Sequence, residues 1–368
     1  MVTEPVHETS TNQARSEGKT TSVFEFWPTW LMYAPVVLQW LWLALKHRSL
    51  TLPLLANPRL PLAGMVGESK HELMSQATGL CRNALLPWIC HQRNAQSPQQ
   101  QARHCIEQAE RAGIKLPFVC KPDIGCRGAG IRLVSTEDAL AEAISVYPEG
   151  ASLLCQKLAS WEPEVGIFYV KDPDTGRGQV VSLTYKHSPG VTGDGVHTLQ
   201  QLVARDARAG ELQHLYESRL KQDWHRVLDQ GERKRLVFSA SHCRGAVFKD
   251  ARADITPALN ASIERIMADL PDFYYGRLDV KFADIDSLRK GQTLEIVEIN
   301  GASAESIHIW DKDARLLDAI KTLLWQYRTL FSLGAYHRQQ GLTPPGIRRL
   351  IRHWRLEKRL TRHYPETE

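Results

Sequence analysis

Two apolar strands in the C-terminal third of the chain carry acidic residues in an alternating pattern. Their sequences are GRLDVKF (residues 276–282) and TLEIVEIN (residues 293–300). Successive side chains point to opposite faces of a strand, so Glu298 shares a face with Asn300. The ten residues between the strands allow a hairpin that brings Asp279 and Glu298 together. The pattern therefore predicts an antiparallel sheet with two neighbouring carboxylates on one face.

Two carboxylates side by side in a sheet repel each other, so this face needs a compensating charge. A divalent cation can supply the charge, because the oxygens of Asp, Glu and Asn suit Mg²⁺ or Mn²⁺. The alternative is an exposed sheet face with scattered charges, and the two strands alone favour neither interpretation. Glu295 lies on the opposite face of its strand and is left out of the predicted site.

The composition is that of a globular protein with more than one structural unit. The chain has 368 residues, of which 43% are hydrophobic and 24% charged, and its net charge of +5 is too small to indicate nucleic-acid binding. We expect no nucleic-acid partner. The seven cysteines form no CxxC pair and several lie in apolar runs. They predict buried thiols in a reducing, cytoplasmic compartment, not a disulfide framework or a zinc site.

The N-terminal region changes abruptly from polar to apolar. Residues 1–22 are polar and are predicted to be disordered. Residues 23–45 form a Trp-rich apolar run, followed by Lys-His-Arg, that is long enough to span a bilayer but contains Glu25 and two prolines. Three interpretations stay open, namely a packed element, a peripheral membrane contact with tryptophans at the interface, or a true span. A homodimer through this run is also left open.

A glycine-bearing loop, KPDIGCRGAGI, lies between the predicted strands LPFVCK and GIRLV. Its glycines are Gly125, Gly128 and Gly130, and Lys121 ends the preceding strand. The loop lacks the GK[ST] of a Walker A motif, and no helix follows it directly. A glycine loop beside a lysine can hold phosphates through backbone N–H groups and a point charge. A glycine hairpin without a ligand is the alternative.

The remaining pattern predicts an α+β fold with antiparallel hairpins. EVGIFYV and QVVSLTYKH are predicted to pair around the turn DPDTGRG, and helices precede and follow them. Near the C terminus, IRRLIRHWRLEKRL has apolar residues at helical spacing with arginines on the opposite side. A solvated surface helix is the first interpretation of this segment, and a membrane-surface helix is the second.

The order of these motifs resembles the ATP-grasp superfamily, in particular carboxylate–amine ligases such as D-alanine–D-alanine ligase, glutathione synthetase and cyanophycin synthetase. It runs from the lysine and glycine loop, through the strand and acidic linker of LLCQKLASWEPE, to RxD and finally ExN at a strand end. The stretch VTGDGVHTLQQLVARD resembles a GDGxHT segment of the cyanophycin synthetase group. The resemblance covers roughly residues 70–310. It implies two α+β subdomains that grip ATP between antiparallel sheets.

The resemblance also implies a division of the chain and a role for each matching residue. We expect a tail (1–22), a Trp-rich segment (23–69), the ATP-grasp domain (70–330) and a basic C-terminal region (331–368). The implied nucleotide contacts are Lys70, Lys121, Gly125, Gly128, Gly130, Gln156, Lys157, Leu158 and, at the ribose, Glu164 or Glu162. The implied metal ligands, for Mg²⁺ or Mn²⁺, are Asp279, Glu298 and Asn300. The implied catalytic residues are Arg277, at the charge of the intermediates, and Lys186, at the γ-phosphate or substrate carboxylate.

The function implied by the resemblance is ATP- and Mg²⁺-dependent joining of a carboxylate to an amine through an acyl phosphate. The expected substrates are small molecules such as an amino acid or a peptide. Two alternatives stay open: an ATP-binding, membrane-peripheral protein without ligase activity, and a kinase that uses the same site. After ExN the chain continues GASAESIHIWD, where the family often has a proline–glycine turn. The substrates are therefore not identified by the sequence.

Overall fold

The computed structural model describes residues 24, 27–125, 129–238 and 245–364. The predicted disordered tail and the loop residue Gly128 lie outside these ranges. The helices are α1 (Thr29–His47), α2 (Lys70–Met74), α3 (Gly79–Ala84), α4 (Pro98–Arg111), α5 (Glu137–Val146), α6 (Leu199–Arg205), α7 (Gln213–Glu217), α8 (Pro257–Ala268), α9 (Ile285–Arg289), α10 (Leu316–Gln339) and α11 (Ile347–Thr361). The strands are β1 (Trp88–Gln92), β2 (Phe118–Pro122), β3 (Arg132–Val134), β4 (Ser152–Lys157), β5 (Glu164–Lys171), β6 (Gly178–His187), β7 (Gly190–Thr192), β8 (Arg233–Arg235), β9 (Val247–Asp250), β10 (Tyr275–Phe282) and β11 (Leu294–Asn300).

The smaller of the two main sheets has the strand order β1-β4-β2-β3, with antiparallel neighbours. Helices α4 and α5 cover one of its faces with a core that includes Cys105, Phe118 and Ile144. Ser97 begins α4 with a capping box, in which its side chain and that of Gln100 each bond the other's backbone N–H. The glycine loop connects β2 to β3, so Lys121 stands where the sheet ends.

The larger sheet has the order β11-β10-β5-β6-β9, and all of its pairs are antiparallel. Its apolar face packs against α8, with Leu278, Val280 and Ile296 buried beside Ile263. The predicted hairpin is present, and Asp279 lies directly opposite Glu298 in the register. The α+β class with antiparallel sheets is therefore confirmed.

A bulge and a tight contact shape the end of the β10–β11 hairpin. Asp279 pairs with Glu298 but Val280 pairs with Ile296, so Val297 is an extra residue on β11. Gly276 lies opposite the end of β11, where a Cβ atom would come within 2.1 Å of the backbone oxygen of Asn300. Only glycine allows this approach, which holds Asn300 close to β10.

Helix α1 packs against α10 along one face. Met32 and Val36 are buried with Leu323, and Leu43 is buried with Phe331. The opposite face of α1 is exposed. In the described ranges, no helix is both long enough and apolar enough to cross a bilayer.

The segment between β6 and β9 forms a small unit of its own beside the larger sheet's strands in the sequence. Strands β7 and β8 pair with each other and pack with α6 around Leu199 and Trp224. In the GDGxHT stretch, Asp194 accepts hydrogen bonds from two following backbone N–H groups, and Thr198 caps α6.

Helix α11 buries none of its residues, as a surface helix should. The predicted division of the chain into four parts stays a prediction.

Candidate active site

The predicted site residues gather on the polar face of the larger sheet, where it meets the end of the smaller one. Arg277 and Asp279 come from β10, and Glu298 comes from β11. Glu164 from β5 and Lys186 from β6 lie opposite each other in the register and join them. The alternation of side chains therefore brings charged groups from four neighbouring strands onto one face.

Asp279 lies at the centre of this cluster and contacts two cations. Its carboxylate is 2.9 Å from Nε of Arg277 and 2.9 Å from Nζ of Lys186. Burial alone would raise the pKa of the Asp279 carboxyl, but the charges of Arg277 and Lys186 outweigh it and hold that pKa well below its ordinary value. Asp279 is therefore an anion at neutral pH.

Glu164, and not Glu162, belongs to the cluster. The Glu164 carboxylate is 2.7 Å from Nζ of Lys186 and 3.2 Å from Nζ of Lys281. Burial opposes ionisation of Glu164, but these two lysines lower its pKa from the ordinary value. The Glu162 side chain is 86% exposed and pairs with Arg235 at 2.8 Å. Of the two acids that the sequence left open, Glu164 has the position that faces the site.

The smaller sheet contributes Lys121 and Gln156, both buried. Nζ of Lys121 donates to the backbone oxygen of Val297 at 3.1 Å, and Nε2 of Gln156 donates to the same oxygen at 3.2 Å. Val297 is the extra residue of the bulge, so its carbonyl is available to both side chains. Burial lowers the pKa of Lys121 to about 8. Lys157 is exposed and Leu158 half-buried at the end of β4.

Lys70 reaches the cluster from a helix and not from a strand. It opens α2, whose first turn is capped by Ser69. Its Nζ donates to the backbone oxygen of Gly125 at 2.9 Å and lies 3.6 Å from the Glu298 carboxylate. Lys70 therefore connects the glycine loop to the carboxylates of the larger sheet. Gly130, at the other end of the loop, has a φ of +75°, a conformation that favours glycine.

Two of the three predicted metal ligands are hydrogen-bonded to each other. Nδ2 of Asn300 donates to Oδ2 of Asp279 at 3.4 Å. The amide oxygen of Asn300 takes no part in this hydrogen bond. Glu298 is more open than Asp279, with 21% of its side chain exposed against 10%. These are all oxygen donors, which suits Mg²⁺. Among the described residues, no group of three or more His, Cys, Asp or Glu side chains is placed to hold a metal ion.

Sequence reasoning missed Glu68 and Lys281. The Glu68 carboxylate accepts a hydrogen bond at 3.1 Å from the backbone N–H of Gly301, the residue that follows ExN. Burial raises the pKa of Glu68 to about 8, so this acid is largely protonated at neutral pH. Glu68 precedes Lys70 by two residues, but nothing in the sequence shows that the segment returns to the end of β11. Lys281 could have been found, because it follows Asp279 by two residues and shares its face.

Comparison with solved structures finds ligases with low sequence identity. A bifunctional glutathione synthetase from Pasteurella multocida has a TM-score of 0.35 at 15% identity, and the match covers 70% of this chain and 36% of that one. The D-alanine–D-alanine ligase from Coxiella burnetii has a TM-score of 0.42 at 9% identity, with 82% and 63% covered. The VanG D-Ala:D-Ser ligase from Enterococcus faecalis has a TM-score of 0.39 at 13% identity, with 74% and 62% covered.

A glutathione synthetase and a D-alanine–D-alanine ligase, two kinds of enzyme that the order of motifs resembles, are thus among the matches. The chain spans less than two thirds of the length of each of the three proteins. No family model matches the chain, and the search of curated proteins finds no match.

Proposed function

We propose that the chain is an ATP- and Mg²⁺-dependent ligase that joins a small-molecule carboxylate to an amine. The observation that carries the proposal is the convergence of cations from four different elements on the carboxylates of β10 and β11. These cations are Lys70 from α2, Lys121 from β2, Lys186 from β6 and Arg277 from β10. With Lys281 they outnumber the carboxyl groups of Glu164, Asp279 and Glu298, so the cluster has an excess of positive charge. Such an excess among buried groups favours a polyanion such as a nucleoside triphosphate.

The position of each group supports a division of labour around the nucleotide. Lys121, Lys70 and the glycine loop would hold the phosphates, because they lie together at the end of the smaller sheet. Gln156, Lys157 and Leu158 would line the adenine, partly through backbone groups. Glu164 would accept hydrogen bonds from the ribose. The three proposed metal ligands are Asp279, Glu298 and Asn300.

The oxygen ligands offered by Asp279 in β10 and by Glu298 and Asn300 near the end of β11 fit a bound Mg²⁺. When bound, Mg²⁺ would supply Lewis-acid stabilisation of phosphate charge. Asp279 is already ionised by its contacts with Arg277 and Lys186, so no proton has to leave before it can act as a ligand. Arg277 would also stabilise negative charge on the reacting groups.

The proposed reaction has two steps, a phosphoryl transfer and an attack by the amine. An oxygen of the substrate carboxylate attacks the γ-phosphorus of ATP, the bond to the β-phosphate oxygen breaks, and ADP leaves with the bonding electrons. The amine then attacks the acyl carbon, phosphate leaves, and the nitrogen loses a proton. Lys121, Lys186 and Arg277 lower the repulsion between the two anions in the first step. The glycine loop must keep water from the acyl phosphate.

The proposal is tested by trapping the acyl phosphate. The protein is incubated with ATP, Mg²⁺, hydroxylamine and pools of small carboxylates, and ADP and hydroxamate are measured. We expect both products, in equal amounts, from at least one pool. A folded protein that gives neither product from any pool contradicts the ligase and favours an ATP-binding protein without ligation. A stable phosphoester in place of a hydroxamate identifies a kinase.

Nucleotide affinity is expected to fall about tenfold between about pH 7 and pH 9. The reason is that Lys121 has a pKa of about 8 in the free protein, so it is charged below this pH and neutral above it. A neutral Lys121 loses its attraction to phosphate. The measurement is calorimetric titration with Mg²⁺ and a non-hydrolysable ATP analogue. Lys121→Arg stays charged across this range and should hold its affinity within about twofold; an equal decline in that variant would assign the pH dependence to another group.

A further inference from the structure

The outer face of α1 is a continuous apolar surface, which we call the α1 face. It consists of residues spaced along one side of the helix: Trp30, Leu31, Val37, Leu38, Leu41, Trp42 and Leu45. Their exposure is high, with 72% for Trp30, 69% for Leu38, 59% for Trp42 and 80% for Leu45. Single exposed apolar residues are ordinary on a protein surface, but a row of this length marks an interaction surface.

Contacts on the opposite side of α1 fix the orientation of this face. Trp40 packs edge-on against Tyr327 and Phe331, with ring centroids 5.7 and 5.2 Å away. Its Nε1 donates to the backbone oxygen of Leu50 at 3.1 Å. Tyr33 donates a hydrogen bond to Glu305. Because α1 is held to α10 in this way, it cannot turn its exposed side inward without breaking these contacts.

We propose that the α1 face docks the protein onto the surface of an anionic membrane, with α1 lying in the plane of the interface. Tryptophan side chains suit this environment, since they combine an apolar ring with a polar N–H group. The exposed Lys46 and Arg48 follow the apolar row and would contact acidic lipid headgroups. The helix has no acidic residue that would be repelled there. The arrangement matches an interfacial helix that is anchored at the back by the protein core.

Other occupants fit the α1 face less well. Residues 1–22, which precede it, have a polar sequence with few apolar side chains and do not match an apolar row. A second copy of the same helix would bring no acidic residue to Lys46 and Arg48, because α1 contains none. A lipid surface supplies both the apolar layer and the negative charge.

The test is flotation of the full chain with vesicles of phosphatidylcholine, with and without phosphatidylserine. We expect binding that is strongest with phosphatidylserine and weakens as salt is added. The variant Leu38→Glu/Trp42→Glu should bind at least about a hundredfold more weakly, at about tenfold for each apolar side chain lost. Lys46→Gln/Arg48→Asn should reduce binding to phosphatidylserine vesicles about tenfold and leave binding to phosphatidylcholine unchanged.

Matched controls separate the α1 face from a general effect of added acid. Val196→Glu/Ile285→Glu changes exposed apolar residues elsewhere, at 70% and 46% exposure, and should bind vesicles like the unchanged protein. Circular dichroism and thermal melting establish that each variant is folded. Absence of vesicle binding by the folded, unchanged protein overturns the proposal, and so does equal binding by Leu38→Glu/Trp42→Glu. A dimer that this variant disrupts, in a protein that binds no vesicles, assigns the face to a second copy instead.

Discussion

Glu298→Gln is expected to lower turnover at least about a thousandfold while the fold survives. Glu298 is more open than Asp279, with 21% of its side chain exposed against 10%, and its ion-pair partner, Lys70, is 3.6 Å away. Replacement by an amide keeps the shape of the side chain and leaves only a loosely paired lysine behind. The fold should therefore tolerate the change, whereas the proposed metal loses a charged ligand. Turnover is measured as ADP release in the hydroxylamine assay.

The matched control is Glu295→Gln, because it makes the same change on the same strand. The sequence put Glu295 on the face opposite Glu298, but the bulge at Val297 places it opposite Lys281, on the same face of the sheet. Its carboxylate accepts hydrogen bonds from the backbone N–H and hydroxyl of Ser160, both at 2.7 Å. We expect Glu295→Gln to retain turnover within about twofold. Normal turnover in Glu298→Gln, or equal losses in the two variants, would contradict the assignment of Glu298.

The sequence predicted the β10–β11 hairpin well because the hairpin depends on local information. The period of two fixes which side chains share a face on β10 and, after the bulge, on β11, and the short linker allows only a neighbouring antiparallel pairing. Asp279 and Glu298 accordingly lie opposite each other. The bulge at Val297 could not be predicted, since the strand has no glycine or other sign of an extra residue. That bulge nevertheless exposes the carbonyl to which Lys121 and Gln156 donate.

The sequence could not predict how distant segments complete the cluster. The register between β5 and β6 puts Lys186 opposite Glu164. This pairing brings Glu164 rather than Glu162 into the cluster, and no local sequence pattern indicates it. Glu68 reaches Gly301 across 233 positions of the chain. Lys70 was found only through the resemblance to a family. The burial of these groups, which shifts their pKa values, is likewise a property of the assembled sheets.

The sequence also could not predict which side of α1 is exposed. Its composition left packing, membrane contact and a span open, because amphipathic character depends on which side meets the rest of the chain. Trp40 and Trp42 are two positions apart and look alike in the sequence. In the structure Trp40 packs against α10, whereas Trp42 is 59% exposed. The contact with α10 therefore decides which tryptophans are available to a partner.

Asp279→Asn is expected to destabilise the fold by about 3 kcal/mol, in addition to removing activity. Asp279 is the shared counter-ion of Arg277 and Lys186, at 2.9 Å from each, and is itself buried. The amide leaves both cations in a buried site with less compensating charge, although Lys186 retains Glu164 at 2.7 Å. The free energy of unfolding is measured by urea denaturation, and the thermal midpoint should fall by about 5 °C.

The pH dependence of the stability loss in Asp279→Asn identifies the cause of that loss. Because the pKa of Asp279 is lowered in the folded state, its contribution is complete above the unfolded pKa of about 4 and is lost as pH falls below it. The gap in unfolding free energy between the unchanged protein and Asp279→Asn should therefore narrow in acid. Asp286→Asn, at an exposed position on α9, should change stability by less than about 0.5 kcal/mol at any pH. A loss in Asp279→Asn that is no larger than in Asp286→Asn would show that Arg277 and Lys186 do not depend on this carboxylate.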